Sequence, residues 1–312
     1  MISVIISCYN GEPFLGNAIQ SVIDQTYCDW ELIIVNDGST DNSLQIAEVY
    51  AKKDKRIRVL TGRNRGLNGA RNLGVSVVCS NSEYLLFFDA DDILEKKALS
   101  ELYDVAQENN AGAVCCNYRN IDSKGNIVER TFKSWFYSPS RFGVHRKSSV
   151  EKVSCFSIYS WAPIIEPMTL IKKELFERFG PWDECNFPVR KTYGESIPLF
   201  LLIALDLDFL FIDRPLYLYR IHPNQITQKN RNIKLIQRKI EYLIRVKMLL
   251  FPEYKVELKN SILFAKYRLP LFKYINGSLK HDLRYKPIKG GLLLFFYFVK
   301  YIVSLRSLDF RS

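Results

Sequence analysis

Residues 84–99 read YLLFFDADDILEKKAL: five apolar or aromatic residues run directly into three carboxylates, Asp89, Asp91 and Asp92, within four positions. Two like unit charges about 4 Å apart repel by about 4 kcal/mol at an effective dielectric near 20, so such a cluster at a buried strand end calls for something positive beside it. Alternate side chains at a strand end point the same way, which lets Asp89 and Asp91 converge and turns Asp92 elsewhere. Paired carboxylates are hard oxygen ligands suited to Mg2+ or Mn2+, ions that keep several waters and take further ligands from substrate phosphates. The missing charge is therefore read as a divalent metal arriving with a diphosphate. The alternative is an Asp-rich turn capping the helix that follows, a role that suits Asp92.

The elements that must position these carboxylates are legible in the hydrophobic pattern. Strand-like runs occupy 3–9, 30–36, 57–62, 83–89 and 112–118, with helix-like segments at 13–25, 41–54, 69–80 and 95–109. Near-continuous Val, Ile and Leu strands alternating with helices predict an α/β fold, a Rossmann-like and mostly parallel sheet covered by helices on both faces. Such sheets bind ligands beyond the carboxyl ends of their strands, at a switch in strand order. The polar residues fall at those ends: Ser7, Tyr9 and Asn10 after the first strand, NDGSTDNS (36–43) after the second, TGRNRGLNGARN (61–72) after the third, and DADD (89–92), with Ala90 between the acids, after the fourth. Any one of these loops alone is ordinary turn chemistry; four on one rim point to a site. No G-x-G-x-x-G follows the first strand and no G-x-x-x-x-G-K-[ST] occurs, so dinucleotide binding and P-loop hydrolysis lack their glycine cradle.

Past residue 118 the pattern predicts a short strand and helix over 167–182 ended by Gly180-Pro181, a helix over 193–208, a strand pair over 208–222, and a basic helical region from about 229. From residue 226 onward there are 19 Lys or Arg against 5 Asp or Glu, so the net charge of +11 belongs to this tail. Its apolar run, Leu292 to Val299, is too short to span a bilayer. Apolar residues flanked by Lys and Arg suit a helix lying at an anionic membrane surface, the alternative being a bundle packed against the larger domain. No nucleic-acid motif accompanies the charge. Seven cysteines without C-x-x-C spacing, and an N-terminus that enters a strand without a basic leader, predict reduced thiols in a cytoplasmic protein.

SVIISCYNGEPFLGNAIQSVIDQTYCDWELIIVNDGSTDNS, RNRGLNGARNLG and YLLFFDADDILE together resemble the family 2 glycosyltransferases of the GT-A fold. The likeness is close over the first 110 residues or so, looser through IKKELFERFGPWDE, YGES and YRIHPNQIT, and ends near 228. It implies transfer of a sugar, with inversion, from a nucleotide-diphosphate donor such as a UDP-sugar to a glycan or lipid-linked glycan hydroxyl, as in bacterial polysaccharide, lipopolysaccharide or capsule assembly. It further implies Tyr9 on the base, Asp37 accepting from a ring nitrogen, Arg71 near the phosphates, Asp89 at the ribose and metal shell, Asp91 as main metal ligand, and His222 near the metal or diphosphate. The usual D-D-G-S is here Asn36-Asp37-Gly38-Ser39.

Where the family carries a Glu-Asp pair as general base, this chain has Gly194-Glu195-Ser196, making Glu195 the candidate, with Asp183 and Glu184 as alternatives or acceptor-side residues beside Trp182. Trp161, Trp182 and Tyr193 are candidates to stack on sugars or to pack in the core. The expected organisation is a catalytic domain over 1–225, with a donor half to 118 and an acceptor half from 119, followed by the basic region 226–312. Two other functions compete. An aspartate-nucleophile phosphotransferase would want its D-x-D after the first strand, and a nucleotide-binding adaptor without catalysis is compatible with Ser196.

Overall fold

The computed structural model describes residues 1–128, 150–152, 168–182, 197–223, 225, 244 and 247–254. Four parallel strands form its first half: β1 (Ile2–Cys8), β2 (Trp30–Asn36), β3 (Ile57–Thr61) and β4 (Tyr84–Asp89), ordered β3-β2-β1-β4. The chain leaves β1 toward β2 and β3 and then returns to β4 on the other side of β1, so the switch in strand order lies between β1 and β4, where Ser7 pairs with Asp89. The sheet continues through β8 (Thr169–Lys172), β6 (Ala113–Ile121) and β9 (Phe209–Arg220) to β5 (Ile93–Leu94), with β7 (Val150–Lys152) also on β9. Beyond β4 the pairing is mixed: β8 is antiparallel to β4 and β6, and β6 is parallel to β9.

Helices cover both faces. On one, α1 (Leu15–Ile23), α2 (Ser43–Lys53) and α4 (Ala98–Glu108) pack Leu15, Ile19, Ala47, Leu99 and Leu102 against Val4, Ile6, Leu32, Ile34, Leu86 and Phe88 in one buried cluster. On the other, α3 (Gly66–Val75) crosses so close that a Cβ on Gly74 would lie 2.5 Å from Ile5 Cγ2. On that face too, α5 (Lys173–Phe179) brings Phe176 onto Phe87, ring centroids 5.4 Å apart, and α6 (Ile197–Asp206) packs on α5. Each fully buried aliphatic or aromatic side chain contributes about 1.5–3 kcal/mol. Such burial along β1 and β4 fixes the strand ends from which the polar rim projects.

Two elements differ from their sequence expectation. The helix expected from residue 69 begins at Gly66, because the carboxylate of Asp37 caps the amides ahead of it. The strand pair expected over 208–222 is one strand, β9. Pro215 does not end it because the register slips on either side of Asn117, which takes Asp213 as a side-chain partner at 3.0 Å. Contacts divide the chain into two units, Met1–Leu243 and Ile244–Ser312. Of the second, Ile244 and 247–250 are helical, Phe251 follows and Pro252–Tyr254 form a 3-10 turn; the rest of the basic region lies outside the described residues. Among the described residues no helix is long and apolar enough to cross a membrane.

Candidate active site

β4 delivers Asp89 to the rim, and the chain turns at once into the two-residue strand β5, so Asp89, Asp91 and Asp92 each offer an oxygen within 4.8 Å of the others. Their partners differ. Asp89 Oδ1 takes Arg71 Nη2 at 3.2 Å. Arg71 is itself buried, its guanidinium 5.8 Å from the Phe87 ring and 5.7 Å from the Trp182 ring. Asp91 Oδ2 lies 2.9 Å from His222 Nε2, just beyond the end of β9. Asp92 turns inward, accepting from the Tyr217 hydroxyl at 2.5 Å and the Arg220 amide at 2.7 Å. All three carboxylates approach one another across a turn that begins where β4 ends at Asp89, so strand alternation does not set Asp91 and Asp92 apart; their partners do. Asp92 is a cross-strand anchor to β9 and not a cap of α4, whose N-terminus has no side-chain cap.

The electrostatics follow. Desolvation pushes the Asp89 carboxyl up to about 6, with Arg71 opposing and Asp91 reinforcing the shift. Burial, then repulsion from Asp91 and Asp89, also raises the Asp92 carboxyl. The positive charge that the sequence seemed to lack is thus supplied in part by Arg71 and the fully buried Arg220, yet Asp89 still holds its proton more tightly than a free aspartate.

The other rim loops interlock around this cluster. Asp37 is buried, and its two oxygens accept the amides of Arg65 and Gly66, both at 2.8 Å, tying the β2–α2 loop to the start of α3. A carboxylate has about four acceptor sites, so a further donor can still be met. Gly38 adopts φ +75, and a Cβ there would sit 3.2 Å from the Asn64 amide nitrogen, so glycine is required where the two loops touch. Asn10 accepts the Thr40 amide at 2.8 Å, and the amide of Asn10 reaches Ser39 Oγ at 3.0 Å. Tyr9 is 53% exposed. Ser7 Oγ, in register with Asp89, is buried with no partner among the described residues.

Of the two roles open to Trp182, at the acceptor or in the core, its burial favours the core. It is 1% exposed and enclosed by Phe87, Phe176 and Phe200, so no ring face is open to a sugar. Its backbone is clasped by Asn72, whose Nδ2 donates to the Trp182 carbonyl at 2.8 Å and whose Oδ1 accepts its amide at 2.9 Å. Asp183, Glu184, Glu195, Trp161 and Tyr193 lie outside the described residues. Sequence reasoning passed over Phe14, Asn72, Tyr217 and Arg220. The only sequence signal for Arg220 is a basic residue closing an apolar strand two positions before His222.

Residues 3–166 match the family model described as Glycosyl transferase family 2. Glycosyltransferase GlyG of Streptococcus pneumoniae serotype 4 is 32% identical over 227 residues, 70% of this chain and 70% of that protein. EpsJ of Bacillus subtilis, described as an uncharacterized glycosyltransferase, is 32% identical over 231 residues, 73% of this chain but 63% of EpsJ, so the chain spans less than two thirds of that relative. Among solved structures, S. aureus TarS 1–349 in complex with UDP-GlcNAc has a TM-score of 0.64 at 20% identity, covering 92% of this chain and 77% of that one. That likeness is one of fold, the GT-A arrangement anticipated from the sequence.

Proposed function

The chain belongs to the family 2 glycosyl transferases, and from that premise we propose that it transfers a sugar, with inversion, from a UDP-sugar to a glycan hydroxyl, with Mn2+ or Mg2+ held by Asp91, Asp89 and His222. The observation that carries this reading is the approach of His222 Nε2 to Asp91 Oδ2, 2.9 Å, beside Asp89 at the strand-order switch. Two further features fit a cation and a nucleotide diphosphate. The raised carboxyl of Asp89 is what a cation would relieve, and the Ser7 hydroxyl, in register with it, has no partner among the described residues. Two carboxylates and an imidazole are donors that Mn2+ accepts readily. When bound, the ion would supply Lewis-acid stabilisation of the departing diphosphate.

This chain's own groups divide the remaining work. Arg71 stands against Asp89 with its charge braced between aromatic rings, which suits it to the phosphates. Exposed Tyr9 suits a stacked base, Asp37 its ring nitrogen, and Asn10 and Ala90 flank that space in the sequence. Glu195 is the proposed general base, with Asp183 and Glu184 as the alternatives. TarS, with its UDP-GlcNAc and UDP complexes, supports uridine as the nucleotide. A glycan acceptor agrees with the relatives' description as glycosyltransferases, and the basic tail favours presentation at an anionic membrane surface. The D-x-D follows β4 and not β1, against an aspartyl phosphotransferase.

Two measurements test the reading. In calorimetry, UDP should bind detectably only with Mn2+ present, and a panel of nucleotide-sugars should show cation-dependent hydrolysis of one uridine donor; equal UDP binding in EDTA would refute the cation's role. The second is thermal. A carboxyl raised above its unfolded value contributes stability that is fully present below about pH 4 and lost as pH rises through about 6, where Asp89 ionises against Asp91. A cation replaces that proton, so its benefit should grow over the same window. At a concentration 100 times its Kd at pH 7.5, Mn2+ should add about 2.7 kcal/mol at that pH, roughly 5–10 °C in Tm, and about half of that at pH 5. An equal shift at both pH values counts against Asp89 as a ligand.

A further inference from the structure

Arg220 closes β9 and is fully buried, a costly place for a guanidinium unless its donors are used. Its Nε donates to the carbonyl of Asp91 at 2.7 Å, and its Nη1 to the carbonyls of Asp122 and Ser123 at 3.0 and 3.2 Å. None of these acceptors is a carboxylate. The side chain reads backbone, tying the acidic turn after β4 to the turn after β6, while its own amide holds Asp92. Its Nη2 is buried with no partner among the described residues. Removing the guanidinium alone would leave those carbonyls unpaired and cost stability, yet stability does not explain why the grip falls on the Asp91 turn.

Geometry accounts for it. Two residues on, His222 Nε2 meets Asp91 Oδ2, and the Arg220 guanidinium and the His222 ring lie against one and the same side chain, Phe14, at 4.7 and 4.8 Å. The turn between them is braced by Gln225, which accepts the His222 amide at 3.3 Å and donates to the Arg220 carbonyl. One residue thus grips the backbone of Asp91, its near neighbour meets the carboxylate, and Phe14 spaces the two.

We infer that Arg220, seated on Phe14, is a positioning residue for the cation site: it locks the Asp91 turn in register with the end of β9, so that the Asp91 carboxylate and His222 converge. This rests on the cation reading proposed above. Loosening the turn leaves every ligand in the chain but lets them part, and residues that orient ligands in this way typically change metal affinity by about 10–100-fold.

The test uses Mn2+ alone, titrated into the full chain with free ion followed by electron paramagnetic resonance, at a temperature where circular dichroism shows each variant folded. Arg220→Met should bind Mn2+ about 10–100-fold more weakly than wild type, and Phe14→Leu should shift in the same direction by less. Leu102→Ala, a truncation in the buried face of α4, should lower Tm without changing the affinity. Wild-type affinity in Arg220→Met, or an equal loss in Leu102→Ala, overturns the inference and leaves the cation reading standing. A wild-type chain that takes up no Mn2+ defeats the cation reading and this inference with it. Where Arg220→Met does not fold, Arg220→Lys decides: a single ammonium cannot reproduce the guanidinium fork that spans both turns, so wild-type affinity in that variant is equally fatal.

Discussion

Asp91→Asn is expected to abolish Mn2+-dependent UDP binding and to cut turnover by about 10³-fold, equivalent to about 4 kcal/mol of transition-state stabilisation. The size follows from what one oxygen does. Asp91 is the carboxylate facing His222, with its side chain a third exposed and so free to meet a ligand, whereas Asp89 is already engaged by Arg71 and Asp92 by Tyr217 and Arg220. An amide of the same shape keeps the turn, because Arg220 grips the Asp91 carbonyl and not its side chain. It also removes the charge that helps to raise Asp89. In EDTA the variant should therefore melt no lower than wild type, and at neutral pH slightly higher. That second readout separates loss of the site from loss of the fold: inactivity with a lowered Tm would mean that Asp91 is structural, and retained cation-dependent UDP binding would remove it as a ligand.

The rim was legible because its residues sit at fixed offsets from strands that announce themselves. Ser7 and Asp89 directly follow an unbroken run of Ile, Val, Leu or Phe and Asp37 comes one residue after such a run, and a parallel sheet places such ends side by side without further information. What binds the rim together was not legible. Phe14 and His222 are separated by more than two hundred positions, as are Phe14 and Arg220, and no local period reports such a contact. The choice left open for Trp182, between stacking on a sugar and packing in the core, needed a contact of the same kind. It is decided by α3, which supplies Asn72 to clasp the Trp182 backbone and Arg71 to cover its ring. The antiparallel entry of β8 escaped notice because four residues, Thr169–Lys172, are too few for alternation to be read. In β9, Pro215 suggested a break that a slip opposite Asn117 absorbs.

Glu195→Gln is expected to lower kcat by about 10²–10⁴-fold, the range for loss of a general base, while donor and Mn2+ affinities stay at their wild-type values. Inversion needs a base on the acceptor side of the anomeric carbon, whereas Asp89 and Asp91 are assigned in the proposed reading to the cation on the donor side and Asp92 is bonded to Tyr217 and Arg220. Glu195 stands two positions ahead of α6, where an acid has a second possible occupation: the partial positive charge of a helix N-terminus stabilises it by about 0.3–1 kcal/mol. The two occupations predict different things. If the acid only serves the helix, Gln leaves turnover unchanged and costs a degree or two of Tm; if it takes the acceptor proton, turnover collapses at constant Tm and the pH–rate profile loses its acidic limb. Ser196 sharpens the comparison, because a Glu195→Gln chain has no carboxylate at the next position in the sequence. Asp183→Asn and Glu184→Gln complete the assignment: the variant whose kcat falls without a change in donor binding identifies the base, and a collapse in either of these with Glu195→Gln fully active would move that role to the Asp183-Glu184 pair.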